Sequence, residues 1–184
     1  MIKIMCAVDK YGGFGKDGKI PWHFPEDFKH FKETTAGHVC IMGRKTYDEI
    51  YEHAVKRNPK IAAYDEVYNE GKALDVLPGR KSIVVTSSVV TPVGVSAAKT
   101  SLAEAIEFAK AEFPDRDIFI IGGQRLFEEG LELTDVVHLT VVKREYDCDR
   151  FFPTSVLQKN WKIVAGKEFD DFYFVDYHRL GSTT

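Results

Sequence analysis

Ile118-Phe119-Ile120-Ile121-Gly122-Gly123-Gln124-Arg125 is the stretch that decides the fold class. Its opening run is apolar and mostly β-branched, which reads as a strand buried on both faces, as in parallel sheets. The Gly-Gly pair reads as a tight turn, and a helix is expected from Gln124. A buried strand passing through glycines into a helix is half of a strand–helix–strand unit, so an α/β layer fold is expected. Glycine at such a turn also lets a phosphate approach backbone N–H groups at the positive end of a helix.

The same reading extends outward. Val39-Cys40-Ile41-Met42 is a buried strand ended by Gly43, with a short helix predicted from Arg44 to Tyr51. Ile2 to Val8 is an apolar strand ending at Asp9, and Ser82 to Thr86 is another, entered through Leu77-Pro78-Gly79-Arg80. Val93 to Ala97 reads as a further strand, and Val136 to Val142 as one more. Phe24 to Thr35 has helical spacing with Pro25 suited to its first turn. Ser101 to Glu112 is amphipathic, with Leu102, Ala105, Ile106 and Ala109 on one face. Trp161 to Ala165 and Phe172 to Tyr177 alternate and predict an antiparallel hairpin. The expected fold is a central mixed, mostly parallel β-sheet flanked by helices, with that hairpin at the C-terminal end.

Two segments stand apart. Tyr11-Gly12-Gly13-Phe14-Gly15-Lys16-Asp17-Gly18-Lys19 is glycine-rich and reads as a mobile loop closed by Pro21-Trp22. Tyr51 to Val76 is polar and weakly periodic, and reads as an inserted surface segment with a short helix near Ala62 to Tyr68.

Bulk properties narrow the function. A chain of 184 residues suits one domain, here expected over residues 1–180. A net charge of −3 excludes the basic excess usual in nucleic-acid binders. Cys6, Cys40 and Cys148 are too scattered for a disulfide framework or a zinc site, and no metal is expected. The start turns polar too early for a signal peptide, and no apolar stretch approaches the roughly 20 residues of a membrane span. A soluble, cytoplasmic protein is expected.

Asp27 is the most informative single residue. Phe24, Asp27 and Phe31 project from one side of their helix, with Phe28 flanking, so a carboxylate sits within an apolar stripe. Desolvation there should raise its pKa. Two readings stand on spacing alone: an acid placed in a first helical turn by the helix dipole, or a carboxylate in a dry cleft that binds a heterocycle with adjacent N–H donors. Phosphate-compatible groups also gather after three strands: Gly122-Gly123, then Met42-Gly43-Arg44-Lys45-Thr46, then Thr86-Ser87-Ser88. Each alone is weak, but three strand ends so equipped suit a dinucleotide. The set is not the Rossmann fingerprint.

Together these residues resemble the dihydrofolate reductase family over most of the chain. Its motifs appear in order: Ala7-Val8-Asp9, Gly15-Lys16-Asp17-Gly18-Lys19-Ile20-Pro21-Trp22, Pro25-Glu26-Asp27-Phe28, Ile41 to Thr46, Leu77 to Arg80, Ile120 to Gly123, and Phe152-Pro153. The resemblance implies NADPH-dependent reduction of dihydrofolate, serving one-carbon metabolism and thymidylate synthesis, by a monomer with dihydrofolate as its small-molecule partner. It makes Asp27, Trp22 and Thr140 the catalytic set: the acid that binds the pterin and promotes protonation at N5, the indole that holds an ordered water, and the hydroxyl that bonds acid and pterin. Met5, Ala7, Phe31 and Ile50 match ring-packing positions, and Arg80 matches the arginine that grips the substrate's α-carboxylate. For the cofactor it implies Ala7, Gly15, Lys19 and Ile20 near the loop; Gly43, Arg44, Lys45 and Thr46 at one phosphate turn; Thr86, Ser87 and Lys99 near the adenosine; and Ile121, Gly122, Gly123, Gln124, Arg125 and Phe127 at the pyrophosphate turn, where the family usually has a cis peptide between the glycines. Arg44 beside Ser87 suggests a 2′-phosphate, hence NADPH.

The chain departs from the family at the Tyr51–Val76 segment, where a brief turn is common, at Tyr47 and Glu49, and in its glycine-richer loop. A reductase of riboflavin biosynthesis shares fold and cofactor, and a pterin- or nucleotide-binding module is the non-enzymatic alternative. The Leu77–Arg80 turn together with Asp27 favours folate.

Overall fold

The computed structural model describes residues 1–62 and 74–181. In chain order its elements are β1 (Ile2–Val8), β2 (Gly13–Gly15), α1 (Pro25–Thr35), β3 (Val39–Gly43), α2 (Arg44–Arg57), β4 (Lys81–Val85), β5 (Ala97–Lys99), α3 (Leu102–Glu112), β6 (Ile118–Ile120), α4 (Gln124–Gly130), β7 (Val136–Val142), β8 (Arg150–Phe151), β9 (Trp161–Glu168) and β10 (Phe172–Arg179). The chain divides into two compact units, Met1–Glu33 with Ile120–Thr184, and Thr34–Phe119.

In the first unit β1 runs parallel to β7, with Ala7 opposite Thr140 and Met5 opposite His138. β10 lies antiparallel to β7 and sets Phe174 opposite Thr140 and Asp176 opposite His138. β9 pairs antiparallel with β10, with a register shift at Asp176/Tyr177. β9 is exposed along its length after Trp161, and Lys162, Lys167 and Glu168 supply the charges that keep an edge strand from pairing further. Trp22, Val142 and Phe172 form a buried cluster, with Ala7, Phe24, Tyr146, Cys148, Phe169 and Phe174 packed against it.

In the second unit β3, β4 and β5 are parallel neighbours. α3 starts where Ser101 Oγ accepts the Glu104 N–H at 3.1 Å, and Glu104 answers by accepting the Thr100 N–H, also at 3.1 Å. Its buried face is Leu102, Ala105, Ile106 and Ala109, as the spacing predicts. α2 and α3 both pack on these strands. Each unit thus shows the expected α/β character, and the C-terminal hairpin is antiparallel.

Four expectations need correction. The glycine-rich segment is not all loop: Gly13–Gly15 forms β2, paired with β8. α2 does not stop at Tyr51 but continues through Arg57, because Glu52, Ala54, Lys56 and Arg57 are good helix formers, with a Lys56–Glu52 pair at 2.8 Å and Ala54 buried. It ends where Asn58 turns extended before Pro59, opening a 3-10 turn over Pro59–Ile61. The Tyr51–Val76 segment is therefore not a surface flap throughout, since Ala54, Ile61 and Val76 are buried. Of the short helix expected at Ala62 to Tyr68, Ala62 closes the 3-10 turn and the remainder lies outside the described residues. Finally, β5 begins at Ala97 rather than Val93. Gly94 takes φ +73, which breaks an extended run, and its carbonyl accepts the Val76 N–H at 3.0 Å, while pairing with β4 starts only at Ala97. Among the described residues no helix is long and apolar enough to cross a membrane, and no His, Cys, Asp and Glu group could hold a metal.

Candidate active site

α1 opens at Pro25, and its first turn closes on the Phe24 carbonyl, which accepts from Asp27 N at 3.0 Å and Phe28 N at 3.2 Å. That turn carries Asp27 toward β7, where Thr140 Oγ1 donates to Asp27 Oδ1 at 2.7 Å. Thr140 is buried and Asp27 is half-buried. Burial raises the Asp27 pKa above the ordinary carboxylate value, and the Thr140 hydrogen bond pulls it back in part. Asp27 is thus both a first-turn acid and a partly desolvated carboxylate. Cys6 on β1 registers the same carboxylate, its thiol pushed up first by burial and then by the Asp27 charge.

Around this pair Met5 and Trp22 are buried, while Ala7 and Phe31 are half-buried. Trp22 meets Tyr146 edge-on at 5.2 Å, and among the described residues its buried Nε1–H has no protein acceptor. A buried indole donor of this kind suits an ordered water. Phe28, by contrast, faces solvent. His30, on α1, is half-buried: its ring stacks flat on Phe174 at 3.9 Å, and burial followed by the His138 charge lowers its pKa. His138 itself meets Asp176 across the strands at 2.8 Å.

The loop between β1 and α1 is tied by a residue that sequence reasoning passed over. Asp9 is 2% exposed; its Oδ1 accepts from Tyr11 N and Gly13 N at 2.9 Å each, and its Oδ2 from Tyr146 N at 3.1 Å. An Asp between an apolar strand and a glycine-rich segment is an Asx-turn signal that could have found it. Further along, Asp17 N donates to Asp149 Oδ2 at 2.9 Å and Asp149 N to the Gly15 carbonyl at 2.8 Å. Gly15 is buried, whereas Lys19 and Ile20 are exposed.

The expected phosphate turns have a shared geometry. Gly43 caps α2 and Gly123 caps α4, and neither end has a side chain bonded to its first-turn N–H groups. Donors left this way fit pyrophosphate oxygens. The Gly122–Gly123 peptide is cis. In the first unit Ile121 is half-buried, Gln124 Oε1 accepts Phe151 N at 3.1 Å, Arg125 pairs with Glu129 at 2.7 Å, and Phe127 is buried between Phe14 and Phe152. In the second unit Arg44 pairs with Asp48 at 2.8 Å, Lys45 is exposed and Thr46 half-buried. Thr86 and Ser87 follow β4 directly, and Lys99 Nζ lies 4.3 Å from the centre of the Phe108 ring.

Arg80 is 6% exposed. Its Nε and Nη2 donate to the Pro78 carbonyl at 3.2 and 2.9 Å, and Nη1 to Thr35 Oγ1 at 3.4 Å, which fixes the plane of the guanidinium. Burial lowers its pKa, yet an arginine stays charged at any working pH. Ile50, on α2, is half-buried.

Comparison with known proteins gives a consistent picture. The model of the dihydrofolate reductase family matches residues 1–70 and 68–179. A dihydrofolate reductase of Bacillus subtilis (strain 168) is 30% identical over 190 aligned positions, covering 100% of this chain and 97% of that protein. One from Staphylococcus aureus (strain Mu50 / ATCC 700699) is 29% identical, covering 91% of this chain and 86% of its own. Among solved structures, a dihydrofolate reductase from Enterococcus faecalis in complex with NADP(H) and RAB-propyl superimposes with a TM-score of 0.72 at 28% identity, covering 97% of this chain and 96% of its own.

Proposed function

The chain belongs to the dihydrofolate reductase family, and on that premise we propose that it reduces 7,8-dihydrofolate to 5,6,7,8-tetrahydrofolate with NADPH, using Asp27, Thr140 and Trp22 as its catalytic set. The product serves one-carbon metabolism and thymidylate synthesis. The observation that carries this reading is the Asp27–Thr140 pair: a half-buried carboxylate of raised pKa, oriented by a buried hydroxyl at 2.7 Å.

NADPH, when bound, supplies the hydride that reaches C6 of the pterin. The remaining work belongs to the chain. Asp27 pairs with the 2-amino and N3 groups of the pterin, and burial, which raises its pKa above the ordinary carboxylate value, favours its holding a proton for delivery toward N5. Thr140 fixes one carboxylate oxygen so that the other faces the ring. The buried Trp22 Nε1–H holds the water through which that proton travels. Met5, Ala7, Phe31 and Ile50 exclude bulk solvent from the ring system, and Arg80 takes the α-carboxylate through a bidentate fork.

For the cofactor, the glycine-capped starts of α2 and α4 receive the pyrophosphate and 2′-phosphate ends. Gly43, Arg44, Lys45 and Thr46 act with Thr86, Ser87 and Lys99 on the adenosine side. Ile121, Gly122, Gly123, Gln124, Arg125 and Phe127 act with Ala7, Gly15, Lys19 and Ile20 toward the nicotinamide. A family match running from residue 1 to 179 supports reading residues 1–180 as one domain. We read the protein as a cytoplasmic monomer that binds no nucleic acid.

The test follows NADPH absorbance with and without dihydrofolate. Loss of absorbance that requires dihydrofolate supports the reading. Oxidation driven instead by an open ribosyl-pyrimidine, or binding of both ligands without turnover, overturns it.

A further inference from the structure

Asp27 lies midway between two aromatic contacts that fasten α1 to β10. Three residues before it, the Phe24 ring meets Phe172 at 5.0 Å between centroids. Three residues after it, the His30 ring lies on Phe174 at 3.9 Å, with 19° between the planes. Phe172 and Phe174 are two apart on one strand and so project from the same side of the sheet. Phe174 stands opposite Thr140, the residue that holds Asp27. The contacts form a closed circuit: α1 to β7 through Asp27 and Thr140, β7 to β10 through the Thr140–Phe174 pair, and β10 back to α1 through His30. Between α1 and β9 a cavity of about 390 Å³ opens, lined by Glu26, Lys29, His30, Glu33, Lys167 and Phe174 among others. On that side the His30 ring bridges what close packing leaves open. Burial, and then the His138 charge, lower its pKa below the ordinary histidine value, which leaves the ring neutral and able to stack flat at neutral pH and above.

Resting on the dihydrofolate reading, we infer that His30 is a positioning residue for the reaction: its stack on Phe174 sets the second turn of α1 against β10 and thereby aims the Asp27 carboxylate at Thr140 and the pterin. Phe24 alone fixes one end of this stretch and leaves the helix able to pivot. His30 supplies the second point, and two points define the direction in which the side chain between them projects. The effect reaches the chemistry through Asp27, and only while Thr140 is there to receive the carboxylate. An aromatic pair of this kind contributes modestly to stability, whereas a reacting group displaced by about 1 Å can lose about a hundredfold in rate.

The experiment measures kcat, above the ordinary histidine pKa, for wild type, His30→Ala, His30→Gln and His30→Phe, each also combined with Thr140→Val. Rates are taken per NADPH-binding site, so that unfolded enzyme is not counted. The expected result is a roughly three- to thirtyfold lower kcat in His30→Ala and His30→Gln, with NADPH affinity unchanged. His30→Phe, whose ring can stack in the same place, should recover to within about twofold of wild type. In the Thr140→Val background, loss of the His30 ring should cost less than about twofold, because the orientation it maintains is already lost. Equal losses in the two backgrounds, or a His30→Phe rate as low as that of His30→Ala, overturn the inference while leaving the reductase intact. A wild-type kcat in His30→Ala does the same. Absence of dihydrofolate-dependent turnover in the wild type overturns the reductase reading, and this inference with it.

Discussion

Thr140 Oγ1 donates to Asp27 Oδ1 across 2.7 Å, joining the first turn of α1 to the middle of β7. The bond has opposite effects on chemistry and ionisation: it orients the carboxylate, yet it favours the charged form that burial disfavours. Replacing the acid separates these effects. Asp27→Asn keeps shape and an acceptor for Thr140 but cannot carry the proton, so kcat at neutral pH should fall about 10²–10⁴-fold. NADPH affinity should stay as it is, and steady-state kinetics with a cofactor titration checks both. Full activity in Asp27→Asn removes this acid from the mechanism.

The same substitution has a stability signature. The folded-state pKa of Asp27 is raised, so the native protein keeps this proton after the unfolded chain has released it. That contribution is complete below the ordinary carboxylate pKa and is lost as pH rises through the folded value. Asparagine never ionises. Asp27→Asn should therefore melt above wild type near neutral pH, with the gap closing on acidification. Melting curves between about pH 3 and about pH 8 decide it; a gap that widens toward acid contradicts the assigned direction.

Thr140→Val removes the hydroxyl and keeps the volume. With the Thr140 donor gone, only burial acts, and the Asp27 pKa should climb further. The alkaline fall of the rate profile should then move to higher pH than in wild type, while kcat drops because the carboxylate is no longer held in one orientation. An unmoved profile would mean that this bond does not set the ionisation of Asp27.

Arg80→Leu takes away the donors to Pro78 and Thr35 along with the cation. Dihydrofolate affinity should weaken about ten- to hundredfold, as for a lost charge-assisted hydrogen bond. The turn before β4 should also loosen and lower the melting temperature. Equilibrium titration is the check, and an unchanged dihydrofolate affinity refutes the carboxylate grip.

How much of this was legible in the sequence depends on how local each cause is. The strand at Ile118 and the buried face Leu102, Ala105, Ile106 and Ala109 follow from periodicity within a few residues, and the structure has them where the spacing puts them. Asp27 was half legible, since its place in the stripe was visible while its partner, Thr140, lies far along the chain. The true end of α2 was hidden because polar composition after Tyr51 reads as loop, although Glu52, Ala54 and Lys56 are good helix formers. His30 and Asp9 were missed for one reason. The Phe174 ring that covers His30 and the Tyr146 N–H that binds Asp9 come from remote segments, and no local pattern announces them.

Asp9 also explains a contrast between two glycines in the loop. With Gly13 N bonded to Asp9, the backbone at Gly13 lies against Cys148, and a Cβ there would run into Cys148 Cβ and come within 2.8 Å of its Sγ. A Cβ on Gly15 would instead meet the guanidinium of Arg150, the far end of a flexible side chain lying over the Phe14 ring. The first obstacle is fixed near the backbone, and the second can swing away. Gly13→Ala should therefore cost about 1–3 kcal/mol, the usual range for overpacking, whereas Gly15→Ala should cost clearly less. Combining Gly13→Ala with Cys148→Gly removes the obstructing Cβ and should recover part of the loss relative to Cys148→Gly alone. Denaturant unfolding of the set measures this coupling directly. If the two glycine variants prove equally stable, the close approach to Cys148 is not what keeps Gly13 small.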